Sequence, residues 1–491
     1  MKIKLKKLLF ILIAIVIFYI IGAKSINNNE YNLYFKIKSL VPNSIKHYLK
    51  KTIFMVPTLN QTINELKEEN KVLKSTINQN KETIKEIKNT YFSGSYPLIS
   101  FHLKEKEKII KSKYSKYKFT RFQTNFLNNG KASPAKASAY IEEFDNKIFL
   151  VNADGVFSYF YKQNLNQEKF DSIVIPTNIK KIINYPAFYK RSENGIKDIL
   201  VSNKKLFVSF TNKLPDKCYN TSIMVADINL EYLNFKKFFV PNECVKENNE
   251  YGWMNHHIVG GRMVNFKNNK ILFSTGAMQQ FKLPQDKNSP LGKILSIDKT
   301  TASWKIISMG HRNVQGLKYD NEEDVIYSTE HGPTGGDEFN INYEPGLNNI
   351  ENFGWPISSY GEHGAKTALD NSNELKLRYN KAPLYKSHKK YGFIEPVKYY
   401  VPSIGITEIE KMPKIFNKEF TNDFFVASMG TILEEGDLSI HHIKLDEDLK
   451  KIIMEDIIVI GERIRDLKYI KDINKIILFM ENSPGIGILS L

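Results

Sequence analysis

Two stretches of the chain concentrate residues that could do chemistry. GHRNVQGL (310–317) gathers His311, Arg312, Asn313 and Gln315, donors and acceptors together, into one loop. STEHGPTGGDEFNIN (328–342) follows, then NFGWP (352–356). Gly332, Pro333, Gly335 and Gly336 suit a tight turn whose backbone carbonyls can point one way, and Asp337 and Glu338 come directly after it. Carbonyls beside carboxylates are the oxygen donors a hard cation takes, Ca²⁺ most naturally. Arginine and amide side chains nearby suit a planar, anionic, carboxylate-bearing ligand. The same residues could equally tie strands together as a polar turn network, and composition alone does not separate the two readings.

Loops of this kind need a rigid frame. From about Ala132 onward, short β-rich runs alternate with turn clusters, among them KIFLVNADGVFSYFY (147–161), DILVSNKKLFVSF (198–210), DFFVAS (423–428) and IGILSL (486–491). No segment in this region has a long helical period, so the fold class is all-β. A region of roughly 360 residues is too long for one sandwich and suits a β-propeller of about six blades with four strands each. Units of the form Asn/Asp, then Asn/Lys, then Lys and a hydrophobic run recur at Asp145, Asn203 and Asn268. The strand ending at Leu491 is placed to complete a blade with an early strand and close the ring. Cys218 and Cys244 flank an expected hairpin. In an exported chain a disulfide between them is expected, with two buried thiols as the alternative.

The first residues read as an address. Lys2, Lys4, Lys6 and Lys7 precede the apolar run Leu8 to Ala23. Its length, roughly 24 Å as a helix, is short for a bilayer but spannable with the flanks. Lysines before the span and export after it follow the positive-inside rule. A cleaved signal peptide is the alternative, although Ile21 is a poor partner for an Ala-x-Ala-like site. From Leu59 to Ile87, Ile63, Asn70, Ile77 and Ile84 repeat at a, and Leu59, Leu66, Leu73, Asn80 and Ile87 at d. This pattern predicts a coiled-coil stalk, and Asn70 favours a parallel homodimer in register. A single amphipathic helix lying on the globular part is the alternative. The domains expected are an anchor over 1–24, a linker over 25–58, a stalk over 59–90, a linker over 91–130 and the propeller over 131–491.

Composition closes off other classes. With 25% charged and 42% hydrophobic residues, the chain is neither disordered throughout nor a multi-span membrane protein. Two cysteines exclude a disulfide-dense scaffold and a Cys-rich zinc or iron–sulfur protein. A net charge of +17 raises nucleic acid as a partner. Lys, Asn and Ile recur throughout the chain, however, so the charge reflects sequence style and no nucleic-acid binding is expected.

GHRNVQGL, EHGPTGGDEFN and NFGWP stand in order with HHIVGGRM (256–263), LGKILSID (291–298), PSIGIT (402–407) and GERIRDL (461–467). Together they resemble the glucose/sorbosone dehydrogenase family over roughly residues 130–491. The resemblance implies a six-bladed propeller that binds pyrroloquinoline quinone (PQQ) and Ca²⁺ over the top of the ring. It implies that Arg312 and Asn313 contact the quinone and that Arg463 and Arg465 stack on or pair with it. Glu193, which stands where the family has a glutamine near a glycine turn, is a further expected cofactor-binding residue. The Gly332 and Pro333 carbonyls would hold Ca²⁺ beside the quinone, and Glu338 with the Phe353 carbonyl would form a second calcium site. His257, or its neighbour His256, matches the general base; neighbours on an extended segment point to opposite sides, so only one of them is expected to face the ligand. The chain departs from the family where Gly430 replaces a cofactor lysine and where Ile258 takes the usual position of the base. The implied activity is oxidation of an aldose or similar alcohol by hydride transfer to the quinone. The protein would be a single-pass component of the inner membrane with its propeller in the periplasm. A non-catalytic propeller serving as a binding or assembly module is the alternative.

Overall fold

In the computed structural model of the protein, residues 62–78, 98–124, 137–189, 195–333, 335–346, 350–361 and 388–491 are described. The apolar segment 8–23, the stalk beyond residue 78 and Glu193 lie outside them. Residues up to Lys88 and from Asn89 onward form two separate units. In the first, 62–78 is a helix whose seam residues Ile63, Leu66, Leu73 and Ile77 are all exposed. Among the described residues no helix is long and apolar enough to cross a membrane.

The second unit is built almost entirely of antiparallel strands, which form six four-stranded blades. Their innermost strands are Ala139–Phe144, Ile196–Ser202, Gly260–Phe266, Val314–Asp320, Ile406–Met412 and Ile464–Ile470. Each packs against the next, and the sixth packs against the first, so the blades form a closed propeller. The turn units noted at Asp145, Asn203 and Asn268 are the hairpins leaving three of these strands. Asn203 and Lys204 have φ of 50° and 58°, and Asn268 and Asn269 have 56° and 57°. Two consecutive left-handed residues match the right-handed twist of the flanking strands, and asparagine tolerates that conformation well.

The ring closes as the sequence suggested, but with a segment read there as linker. Lys116–Thr124 pairs with Gly485–Ser490 and supplies the outer strand of the sixth blade. Leu98–Lys111 pairs with Lys116–Thr124 on one side and with Lys169–Ile175 on the other, joining blades six and one into a single nine-stranded sheet. The expected linker over 91–130 is therefore corrected: 98–124 belongs to the propeller. Its lysine-rich alternation looks solvated, yet Phe101, Tyr117, Phe119 and Phe122 are all buried. Phe101 stacks on Phe170 with ring centroids 4.9 Å apart. Burying each such ring contributes about 1.5–3 kcal/mol, which holds the closing strands in place. Cys218 and Cys244 are bonded, tying the start of Cys218–Asp227 to the chain that follows its partner strand Lys236–Phe239.

The axis of the ring is plugged by one side chain. Arg262 Nη1 lies 3.3 Å from Asp198, 2.8 Å from Glu408 and 2.9 Å from Asp466. Its Nε donates to the Gln315 carbonyl at 2.6 Å and its Nη2 to the Arg465 carbonyl at 3.0 Å, while its guanidinium lies over the Tyr140 ring. Arg262 thus touches all five other innermost strands. A buried guanidinium has five donors in a rigid fork, which is what such a hub requires.

Candidate active site

Above this hub, where the innermost strands begin, a cavity of about 430 Å³ opens. Its wall is made by the short segments that lead into those strands, and the loops singled out in the sequence converge there. His256, His257, Arg312, Asn313, Gly332, Pro333, Arg463 and Arg465 all border it. Glu338 and Phe353 do not.

Arg312 enters from the fourth blade. Its Nη1 donates to the His331 carbonyl at 3.0 Å, and its guanidinium lies 5.4 Å from the centre of the Trp355 ring. Burial lowers its pKa to about 10, against the opposing pull of Asp337 and Glu330. Asn313 is engaged largely by protein. Its Oδ1 accepts from Gly260 N and Gln315 Nε2, both at 3.1 Å, and its Nδ2 donates to the His257 carbonyl at 2.9 Å. It therefore fastens the histidine segment to the arginine loop.

Arg463 and Arg465 share one carboxylate. Arg465 Nε lies 2.6 Å from Glu481 Oε1 and Arg463 Nε 3.2 Å from Glu481 Oε2. Arg463 also donates to the Met429 carbonyl. Burial pushes the Glu481 carboxyl upward, but the two guanidinium groups outweigh it and hold it below its ordinary value. Lys197, from the second blade, borders the cavity too. Four cationic side chains thus face the cavity against the two carboxylates of Asp337 and Glu481. This donor set fits a planar ligand carrying several carboxylates.

The glycine turn is tightly folded. A Cβ placed on Gly332 would lie 2.2 Å from the Gly336 carbonyl oxygen and 2.4 Å from that of Gly335. Only a residue without a side chain permits that approach. Asp337 braces the turn from behind. Its Oδ1 accepts from Gly332 N at 3.1 Å and Ser403 Oγ at 2.9 Å, and its Oδ2 from Ile406 N at 2.9 Å. Burial raises the Asp337 pKa, but the neighbouring His331 and these donors overcome it, and the carboxyl sits below its ordinary value. Gly332 and Pro333 border the cavity, and backbone carbonyls are the kind of donor a hard cation takes.

Glu338 and Phe353, expected at a second calcium site, lie away from this cavity. Glu338 accepts from Asn340 Nδ2 at 3.0 Å and faces His388 Nε2 at 3.2 Å. The His388 ring also lies against Gly354, next to Phe353, where a Cβ would meet Nδ1 at 2.3 Å. The His388 imidazole thus occupies one side of the Glu338 carboxylate. Burial opposes protonation of His388, but the Glu338 charge prevails and raises its pKa. Among the described residues no group of three or more His, Cys, Asp or Glu side chains is arranged to hold a metal.

The two histidines also differ from expectation. They lie in a turn, where Asn255 Oδ1 accepts from His257 N at 2.9 Å, and not on an extended segment. Strand alternation does not apply there, so both border the cavity. His257 is exposed, while His256 is partly buried with its ring edge-on to Tyr219 at 5.0 Å. Sequence reasoning missed Lys197 and His331. His331 Nδ1 lies 3.6 Å from Asp337 Oδ1. Its position directly before Gly332 was the available signal.

A family model described as "Glucose / Sorbosone dehydrogenase" matches residues 165–489. An uncharacterised protein of Synechocystis is 31% identical over 214 residues, 40% of this chain and 45% of that protein. The aldose sugar dehydrogenase YliI of Escherichia coli is 22% identical over 311 residues, 58% of this chain and 73% of that protein. The chain spans about half the length of the first two curated relatives it matches. The apo-form soluble aldose sugar dehydrogenase of Escherichia coli superposes with a TM-score of 0.56 at 16% identity, covering 76% of this chain and 99% of that one. A glucose dehydrogenase crystal structure gives 0.55 at 18% identity, covering 72% and 95%. At these identities the structural likeness shows the fold.

Proposed function

Because the chain belongs to the glucose/sorbosone dehydrogenase family, we propose that its cavity binds PQQ with Ca²⁺ and oxidises an aldose sugar. The observation that carries this reading is the cationic lining, in which Lys197, Arg312, Arg463 and Arg465 face a cavity with two carboxylates. An unliganded buried surplus of positive charge is costly, and an anionic ligand relieves it. When bound, the quinone accepts hydride, and Ca²⁺ polarises its carbonyl as a Lewis acid.

The chain's own residues do the rest. Arg312, Arg463 and Arg465 hold negative charge in place. Gly332 and Pro333 offer carbonyl oxygens to the cation. His257, the more exposed of the pair, takes the proton from the sugar hydroxyl, with His256 as the substitute. Arg262 closes the channel beneath, so sugar and quinone enter from one side.

The same reading places the protein at the inner membrane through the segment 8–23, with the propeller in the periplasm. The lysines ahead of that segment support this, as does the bonded pair Cys218–Cys244. Parallel pairing of stalk helices would cover the exposed seam of 62–78. A monomer in sedimentation of the exported part at micromolar concentration would rule that pairing out. Equilibrium titration of the protein with PQQ, with and without Ca²⁺, tests the binding claim. Saturable, Ca²⁺-strengthened binding is expected, and its absence overturns the cofactor assignment.

A further inference from the structure

His311 is fully buried, yet both of its ring nitrogens are engaged. Nε2 lies 2.7 Å from Ser308 Oγ and Nδ1 lies 2.7 Å from Glu330 Oε2, while the ring stacks on Phe353 at 4.8 Å. Serine, histidine and carboxylate in this order have the connectivity of a nucleophilic relay. Ser308 is as buried as His311, however, and does not border the cavity, so no substrate reaches it. The relay orients the loop instead of attacking anything.

What it orients is Arg312. The second oxygen of Glu330, Oε1, accepts from Arg312 N at 2.8 Å. One carboxylate therefore grips two consecutive residues, the side chain of His311 and the backbone of Arg312. The residue after Glu330 completes the grip, since the His331 carbonyl accepts from Arg312 Nη1. Arg312 is held by its backbone at one end and by its guanidinium at the other, both from the segment Glu330–His331. Of the side chains in this assembly, Arg312's is the one that combines a formal charge with a place on the cavity wall formed by the arginine loop.

We propose that Glu330 is the positioning residue for Arg312, fixing the direction from which its guanidinium meets an anionic, carboxylate-bearing ligand. The proposal rests on the cavity being a quinone site. Charge-assisted hydrogen bonds from two fixed donors are short and directional, which suits this task. Glutamine in the same place has one acceptor oxygen and one amide NH₂. With its oxygen toward the Arg312 N–H it turns its NH₂ toward His311 Nδ1, so the imidazole must take the other tautomer and the charge assistance to both donors is lost.

A double-mutant cycle separates positioning from general structural support. PQQ affinity, with Ca²⁺ present, is measured for the wild type, Glu330→Gln, Arg312→Ala and the double variant. Glu330→Gln should weaken binding about tenfold, and the double variant should bind no more weakly than Arg312→Ala alone. Losses that multiply, or a Glu330→Gln affinity within about twofold of wild type, overturn the proposal. A second readout needs no cofactor. In protein carrying Trp253→Phe and Trp304→Phe, emission from Trp355 reports on the guanidinium above it. Glu330→Gln and Arg312→Ala should shift that emission alike, and unchanged emission in Glu330→Gln overturns the proposal whatever the quinone does. If the emission shifts but the wild type binds no PQQ, the cofactor reading fails while the positioning of Arg312 stands. Glu330→Asp, which keeps the charge and shortens its reach, is the second variant should the glutamine protein not fold. It should give the same emission shift and about a threefold loss of affinity.

Discussion

Arg312 and Arg463 reach the cavity from different blades, so their contributions can be tested separately. A hydrogen bond to a charged group contributes about 1.5–3 kcal/mol, which is roughly ten- to hundredfold in affinity. Arg312→Ala and Arg463→Ala should each weaken PQQ binding by that amount while leaving the unfolding transition cooperative. Unchanged titrations in both would remove the cationic lining as the basis of recognition. His257→Ala should lower turnover about a hundredfold with cofactor affinity nearly intact. The same drop in His256→Ala alone would move the base by one residue. Arg312, Asn313, Gln315, Gly332, Pro333 and Asp337 were legible because they crowd into compact polar loops, and His256, His257, Arg463 and Arg465 were legible through the family resemblance. Lys197 was not, because it lies within the strand-like run GIKDIL. Which side chains of such a run face the axis depends on a register that only the assembled ring fixes. His388 was not legible either, since it meets Glu338 across 50 residues of chain.

The glycine turn before Asp337 is the element on which any cation site depends. Gly332→Ala would drive its new Cβ into the Gly335 and Gly336 carbonyls, so the turn must open. Ca²⁺ should raise the thermal midpoint of the wild type and leave that of Gly332→Ala unmoved. Equal stabilisation of both would place the cation elsewhere. Short alternating strands and their asparagine hairpins could be read directly, since two left-handed residues in a row have a narrow sequence signature. The strands over 98–124 could not. LKEKEKIIK alternates charge with charge and shows its inward face only once both neighbouring strands are in place.

At the scale of the molecule, Arg262 and its three carboxylates join all six blades beneath the cavity. Three acids around one guanidinium leave excess negative charge. Burial, the largest influence, pushes the Glu408 carboxyl up to about 7 against the pull of Arg262. A folded pKa above the ordinary 4.5 means that the fold holds this proton more tightly than the unfolded chain. The resulting stabilisation is full below about pH 4.5 and is lost as pH rises through about 7. Glu408→Gln cannot titrate, so its thermal midpoint should fall less than that of the wild type over this window. Parallel profiles would show that Glu408 is already ionised throughout. That the final strand closes the ring with an early strand was foreseeable, whereas its partner Lys116–Thr124 was not; nor was the hub, because its members are scattered from Asp198 to Asp466. The central claim is that this propeller oxidises a sugar through a quinone held by its cationic cavity. The most direct measurement is to load the protein with PQQ and Ca²⁺, mix it anaerobically with a panel of aldoses and follow the absorbance of the bound quinone. At least one aldose should convert the oxidised spectrum to the reduced one in a single turnover, and a quinone that stays bound yet oxidised with every sugar would contradict the account.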